Sequence, residues 1–355
     1  FIPALACLLP GQSDAVELPE PPSINRYIAI DNVCAWPNLT LLPDGTIAAI
    51  IHNTPCHGCR EGAIDCWVST DGGASWEKRG TPAPNDPNTV RMNHAAGLAR
   101  SGELIVLCSG WTNEQQPGQP KKDPFRDAIL PVVIARSGDG GRSWIQSGGF
   151  PSAEEGWTEY IPFGPIVLDD KDVLHASCYS APLDRNSLIL PRHRTWHFVS
   201  HDDGRTWRRN SVLAPRHGEV SLLNLNGNKW LAAARLNNPG IMELFYSGDS
   251  GASWQERGPV TNRREINGHL LRLKDGRVLL TYGNRLPDQK GVEAKFSSDE
   301  GKTWSSPIRL VRLGLDCGYP SSVQRADGKI VTAYYSSRVD YHWRWHMGVS
   351  IWEAP

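Results

Sequence analysis

The strongest constraint on how this chain can fold is an eight-residue pattern, Ser-x-Asp-x-Gly-x-Ser/Thr-Trp, that occurs five times. Its copies are Ser69–Trp76, Ser137–Trp144, Ser200–Trp207, Ser247–Trp254 and Ser297–Trp304, with starts 47 to 68 residues apart. The residue types suit a tight hairpin. Asp accepts hydrogen bonds from the turn backbone, Gly supplies a positive φ, and Trp gives a flat apolar body to pack between sheets. Four of the copies follow a shorter turn signal, at Pro43-Asp44-Gly45, Ser101-Gly102, Asn226-Gly227 and Lys274-Asp275-Gly276. A further such signal, Ala326-Asp327-Gly328, comes after the last copy. Apolar runs such as Thr46 to Ile51 and Arg277 to Leu280 flank these turns, as expected of strands joined by hairpins.

Each repeat therefore predicts about four strands, the size of one propeller blade. The first unit is expected over 32–81, with later ones starting near 88, 157, 215, 263 and 314. The sixth lacks the eight-residue pattern, and Gly348 to Trp352 reads as its late strand. Asn25 to Ile30 has no hairpin partner nearby, so it is expected to join the last sheet and close the ring, removing open edges. The predicted fold is all-β, a six-bladed β-propeller occupying 23–355 as one domain. With 34 Gly, 27 Pro, 14 Trp and only 3 Met, and no long helical periodicity, the composition agrees.

Thirty-seven basic and 38 acidic residues leave no basic field for nucleic acid or an anionic membrane. Any anion must be recognised locally. Phe1 to Leu9 is too short to span a bilayer. It reads with residues 11–22 as a signal remnant and linker, or as a disordered end, and Cys7 faintly resembles a lipoprotein attachment site. No other run is long enough to cross a membrane, and an exported protein, secreted or periplasmic, is expected. Cys34, Cys56, Cys59 and Cys66 crowd into the first unit, where Cys56-His57-Gly58-Cys59 invites a zinc reading. Structural zinc needs a second paired knuckle, which the sequence lacks. A disulfide or buried free thiols are expected there, and neither metal nor cofactor.

The repeated motif is the Asp box, and a propeller carrying it resembles the sialidase (neuraminidase) superfamily over residues 25–355. In that family the boxes lie on the outer rim. The resemblance implies a tyrosine nucleophile partnered by a glutamate, an acid/base aspartate in a first-blade loop, and three arginines on the substrate carboxylate. Gly318-Tyr319-Pro320-Ser321-Ser322-Val323, ahead of Asp327-Gly328, has the spacing of the family's nucleophile and makes Tyr319 its counterpart. Glu219 occupies the matching strand of the fourth blade, and Arg235 follows where the family places one arginine. A phenol needs such a base to attack at neutral pH.

The pattern is broken elsewhere. Ala35-Trp36-Pro37 stands where the family has its first arginine, and the third would fall at Lys290, with Arg285 able to reach the same space. The acid falls at His57, with Glu61 and Asp65 close enough in sequence to orient or replace it. Further expected axial residues are Arg91, Asn93, His94, Glu159, Tyr160, Asn267 and His269, and Trp36 offers a sugar a stacking face or packs between blades. These readings converge on an exo-acting glycoside hydrolase that releases a terminal acidic sugar from a glycan, bound by Arg235 with Arg285 or Arg91. A non-catalytic carbohydrate-binding propeller and a lyase of uronic-acid polysaccharide are the alternatives.

Overall fold

The computed structural model describes residues 17–115, 118, 122–339 and 342–355. Phe1 to Leu9 and Cys7 lie outside the described residues. Of the expected linker, residues 17–22 are described, and Pro19 accepts a hydrogen bond from the Arg309 amide at 2.8 Å.

The described chain is all-β, with 24 strands and no helix, so no helix among the described residues is long and apolar enough to cross a membrane. The strands make five sheets rather than six separate ones. Four of the sheets have four antiparallel strands. The fifth has eight, because Gly164–Ile166 pairs in parallel with Ala95–Gly97 and fuses two four-stranded groups. Glycine permits the fusion: a Cβ on Gly97 would sit 2.2 Å from the Ile166 carbonyl oxygen. Parallel pairing of neighbouring first strands is not legible in hairpin spacing. Ile24–Asp31 pairs antiparallel with His346–Trp352 and completes the sheet that starts at Cys317–Gln324.

Six strands open the four-stranded groups: Cys34–Leu41, Thr89–Leu98, Ile161–Leu168, Val220–Asn226, Glu265–Arg272 and Cys317–Gln324. Each contacts the next in order, and the last contacts the first. Hydrogen bonds tie them: the Leu39 amide donates to Ser321 Oγ at 2.9 Å, the Leu270 amide to Ser221 Oγ at 3.0 Å, and Asn38 Nδ2 to the Gly164 carbonyl at 2.6 Å. Apart from Ile161–Leu168, which is largely half-buried, these strands are buried along most of their length, and the apolar clusters lie between successive groups. Ile47, Ala49 and Ile51, for instance, pack on Val331, Ala333 and Val349.

The repeated turns join the third strand of a group to its fourth, far along the sheet from the first strand. Their chemistry is the same in all five. Asp202 Oδ1 accepts from Ser200 Oγ at 2.8 Å and the Thr206 amide at 2.9 Å, Oδ2 accepts from Thr206 Oγ1 at 2.6 Å, and Ser200 Oγ accepts from the Gly204 amide at 2.8 Å. Asp71, Asp139, Asp249 and Asp299 do the same in their own turns.

Candidate active site

Backbone irregularity decides where the site forms. The pairing of Cys317–Gln324 slips between Gly318 and Ser321, and Tyr319 adopts φ +50°. A left-handed tyrosine is rare, and a bulge of this kind re-aims a side chain out of the strand's alternation. Glu265–Arg272 slips between Ile266 and His269 with Asn267 at φ +61°, and Cys34–Leu41 slips between Cys34 and Asn38 with Ala35 at φ +31°. Three such strained positions in neighbouring first strands make a functional site the natural reading.

The side chains so aimed meet at a buried polar cluster. Tyr319, 4% exposed, donates its hydroxyl hydrogen to Glu219 Oε1 at 2.7 Å. Arg235 Nη1 donates to Tyr319 Oη at 2.9 Å and to Glu219 Oε2 at 2.6 Å, and Asn267 Nδ2 also donates to Oε2 at 2.6 Å. Burial alone would raise the Glu219 pKa, but the charge and hydrogen bonds of Arg235, with the Tyr319 hydroxyl, hold it below the usual carboxylate range. Burial, together with the Glu219 charge, pushes the Tyr319 phenol well above its ordinary value. The resting pair is thus a neutral phenol bonded to an ionised carboxylate, an arrangement in which the carboxylate can accept the phenol proton.

Above this pair lies a cavity of about 280 Å³ lined by Tyr319, Glu219, Arg235, Arg285, His57, Trp36 and Asn93, and also by Arg126, Trp111, Tyr179 and His193. Arg285 donates through Nη2 to the Tyr335 hydroxyl at 2.9 Å and pairs with Asp316 at 3.2 Å, while its guanidinium lies 5.5 Å from the Tyr319 ring centre. His57 stands in the loop that Cys56–Cys59 closes as a disulfide, with Nδ1 3.5 Å from Asp316 Oδ2. Arg126 donates to the backbone carbonyls of His57, at 2.9 Å, and Gly58, at 3.0 Å. Cys34 and Cys66 are buried free thiols.

Trp36 reaches the cavity, but its ring centre lies 4.2 Å from that of Tyr319 in a stack and 4.8 Å from that of His57, so with 5% of its surface exposed it packs rather than offering a sugar a stacking face. Other expected residues do not reach the cavity. Glu61 is exposed and accepts from the Asn88 amide at 2.7 Å. Asp65 is aimed across its sheet by strand alternation and pairs with Lys78 at 2.7 Å and Thr81 at 2.8 Å. Arg91 is buried away from the cavity and donates weakly to the Pro131 carbonyl at 3.4 Å. His94 and His269 line a second, smaller space of about 20 Å³ that Trp36 and Tyr319 also border, and burial pushes both pKa values down to about 4. Tyr160 is in the apolar core and Glu159 in a separate surface cavity.

A family model described as a BNR repeat-like domain matches residues 45–332. The chain belongs to this family. Within the sialidase-like BNR superfamily, a sialidase of Paraclostridium sordellii is 22% identical over 64% of this chain and 58% of its own length. A sialidase of Micromonospora viridifaciens is 24% identical over 87% of this chain and 51% of its own length. The chain thus spans between half and three fifths of these curated relatives. Among solved structures, a protein of unknown function from Dyadobacter fermentans has TM-score 0.78 at 21% identity, covering 94% of this chain and all of that one. A Trypanosoma rangeli sialidase has TM-score 0.69 at 14% identity, covering 93% of this chain and 59% of that one. At these identities the structural likeness speaks for the BNR fold.

Arg126, Asp316, Tyr179 and His193 were not among the expected site residues. Asp316 stands three residues before Tyr319, and that proximity was a usable signal. Arg126 lies in an irregular segment between strands, where no periodicity marks it.

Proposed function

We propose that this BNR-family protein is a retaining, exo-acting glycoside hydrolase of sialidase-like type, built on a six-bladed propeller, that releases a terminal acidic sugar from a glycan. The six first strands, each touching the next and the last touching the first, support the blade count. One observation carries the activity: the Tyr319 hydroxyl bonded at 2.7 Å to an ionised Glu219 on the wall of a cavity that Arg235, Arg285 and Arg126 also line. Three guanidinium groups in one cavity favour an anionic ligand. The related Trypanosoma rangeli enzyme is named as a covalent intermediate with 2,3-difluorosialic acid. That likeness supports a covalent route here. Trp36 in place of a family arginine leaves the identity of the acidic sugar open to sialic-acid-like or uronic-acid-like compounds. The Cys56–Cys59 disulfide supports an oxidising, exported setting.

In the proposed reaction Tyr319 Oη attacks the anomeric carbon as Glu219 takes the phenol proton and the glycosidic C–O bond breaks. His57 gives a proton to the leaving oxygen. The deprotonated imidazole then takes a proton from water, whose oxygen displaces Tyr319 Oη from the sugar, and Glu219 returns the proton to the phenol. Arg235, bonded to Tyr319 Oη, stabilises negative charge on that oxygen in both steps. The test is hydrolysis of a panel of aryl glycosides and oligosaccharides ending in acidic sugars, with Tyr319→Phe as control. The variant keeps the ring packing and loses the attacking atom, so kcat should fall on the order of 10³-fold with Tm little changed. Equal turnover by both proteins would overturn the reading.

A further inference from the structure

The geometry points to Asp316 as the positioning residue of His57: its carboxylate accepts a hydrogen bond from the Nδ1–H of the imidazole and leaves Nε2 to exchange protons with substrate. The inference rests on His57 being the acid and adds the group that makes it one. In sequence Glu61 and Asp65 stand nearer to His57, but their carboxylates are engaged elsewhere. Asp316 comes from the far end of the chain and places Oδ2 3.5 Å from Nδ1.

Both partners are held by separate devices. The Asp316 backbone is tied to Ser337, whose amide donates to the Asp316 carbonyl at 2.9 Å and whose Oγ accepts from the Asp316 amide at 3.1 Å. Its other carboxylate oxygen pairs with Arg285 at 3.2 Å. The His57 loop is pinned by the Cys56–Cys59 disulfide and by Arg126. Gly58, at φ +62°, leaves no room for a Cβ, which would lie 2.3 Å from Met92 Sδ. Preorganisation of this kind is what an acid–base group requires, and a gap of 3.5 Å is of the sort that closes when substrate binds.

The charges around the imidazole are few. Asp316 faces it directly, Arg285 stands behind Asp316, and Arg126 reaches the loop backbone. Tyr335 and Trp36 present ring edges at 6.5 and 4.8 Å. His52 is neutral, its pKa lowered to about 4 by burial, and Cys34 is a buried thiol whose pKa burial raises. Burial would raise the Asp316 pKa as well, but His57, Arg285 and Tyr335 together hold it below the usual carboxylate range. An ionised Asp316 therefore stabilises the imidazolium form that delivers the proton.

The decisive experiment is NMR titration of ¹⁵N-histidine-labelled protein, with His57→Gln used to assign the signal. In the wild type, neutral His57 should carry its proton on Nδ1. In Asp316→Asn the share of neutral His57 that carries its proton on Nδ1 should fall, since the carboxylate that accepts from that nitrogen has been removed. The loss in kcat should be greater on a sugar leaving group than on a 2,4-dinitrophenyl one, which needs no proton. A wild-type imidazole in the Nε2–H form, or an unchanged tautomer ratio in a folded Asp316→Asn, overturns the assignment. The tautomer reading needs only the wild type, so it stands even where the variant folds poorly. Neither NMR measurement needs a substrate. A failed hydrolysis screen with the expected NMR result would strike the proposed activity alone, and the reverse pattern would strike Asp316 alone.

Discussion

The rim and the axis of this molecule solve opposite problems with the same strands. At the rim five turns repeat one hydrogen-bond scheme within eight residues, with four of their aspartates exposed and Asp299 half-buried. Along the first strands the side chains differ from one strand to the next, polar groups are buried, and bulges at Ala35, Asn267 and Tyr319 break the ladder. A turn that satisfies itself can be copied from one four-stranded group to the next. A site cannot be copied, because each of its groups has a different task at one shared point. Regularity thus marks the scaffold, and departure from it marks the chemistry.

The sharpest test of that contrast is Glu219→Gln, which keeps the shape and removes the base. It should lower kcat by about 10²–10⁴-fold. In the double variant with Tyr319→Phe the loss should be scarcely greater than in either single one, because the pair act as a unit. Multiplying losses in single-turnover rates would show that Glu219 acts apart from Tyr319.

Acid should separate the two regions next. His52, His94 and His269 have folded-state pKa values lowered by burial from 6.5 to about 4. The folded form binds these protons more weakly than the unfolded chain. Their stabilising contribution is therefore complete above about pH 6.5 and is lost as pH falls towards 4. In the Asp71 turn, hydrogen bonds from Ser75 and Ser69 lower the carboxyl from 3.8 to about 2, so its contribution persists to lower pH and is lost between those values. Urea midpoints measured from pH 8 to 3 should fall mainly through the histidine window. A flat profile down to pH 4 would show that these buried histidines are protonated without cost.

The smallest effect belongs to the rim. Asp202→Ala strips one turn of its acceptor and should destabilise the fold by about 1–3 kcal/mol in denaturant titration, with kcat of the folded fraction unchanged. A large loss of kcat at full stability would break the division between rim and axis.

Much of the architecture could be read from the chain, and less of the site. The strand Ile24–Asp31 was legible because Asn25 to Ile30 had no hairpin partner nearby, and it does pair with the last strand. Tyr319, Glu219 and Arg235 were placed by the resemblance of their segments to the sialidase family's motifs, and they lie in hydrogen-bond contact. Trp36 looked like a sugar platform because a sequence cannot show that Tyr319 already covers it. Glu61 and Asp65 looked like partners of His57 through nearness along the chain, whereas the loop returns to the sheet at Gly62 and turns Asp65 towards Lys78.

By itself the sequence determined the strands, their turns and the recurrence of a four-stranded unit. These depend on groups within eight residues of one another, so local hydrogen bonding and glycine conformation suffice. Only the tertiary structure decided which side chains share the cavity. Tyr319 and Glu219 lie 100 residues apart, and Asp316 is still further from His57. Their meeting depends on how far each bulge tilts a first strand when neighbouring sheets pack against it, a quantity that no single strand encodes.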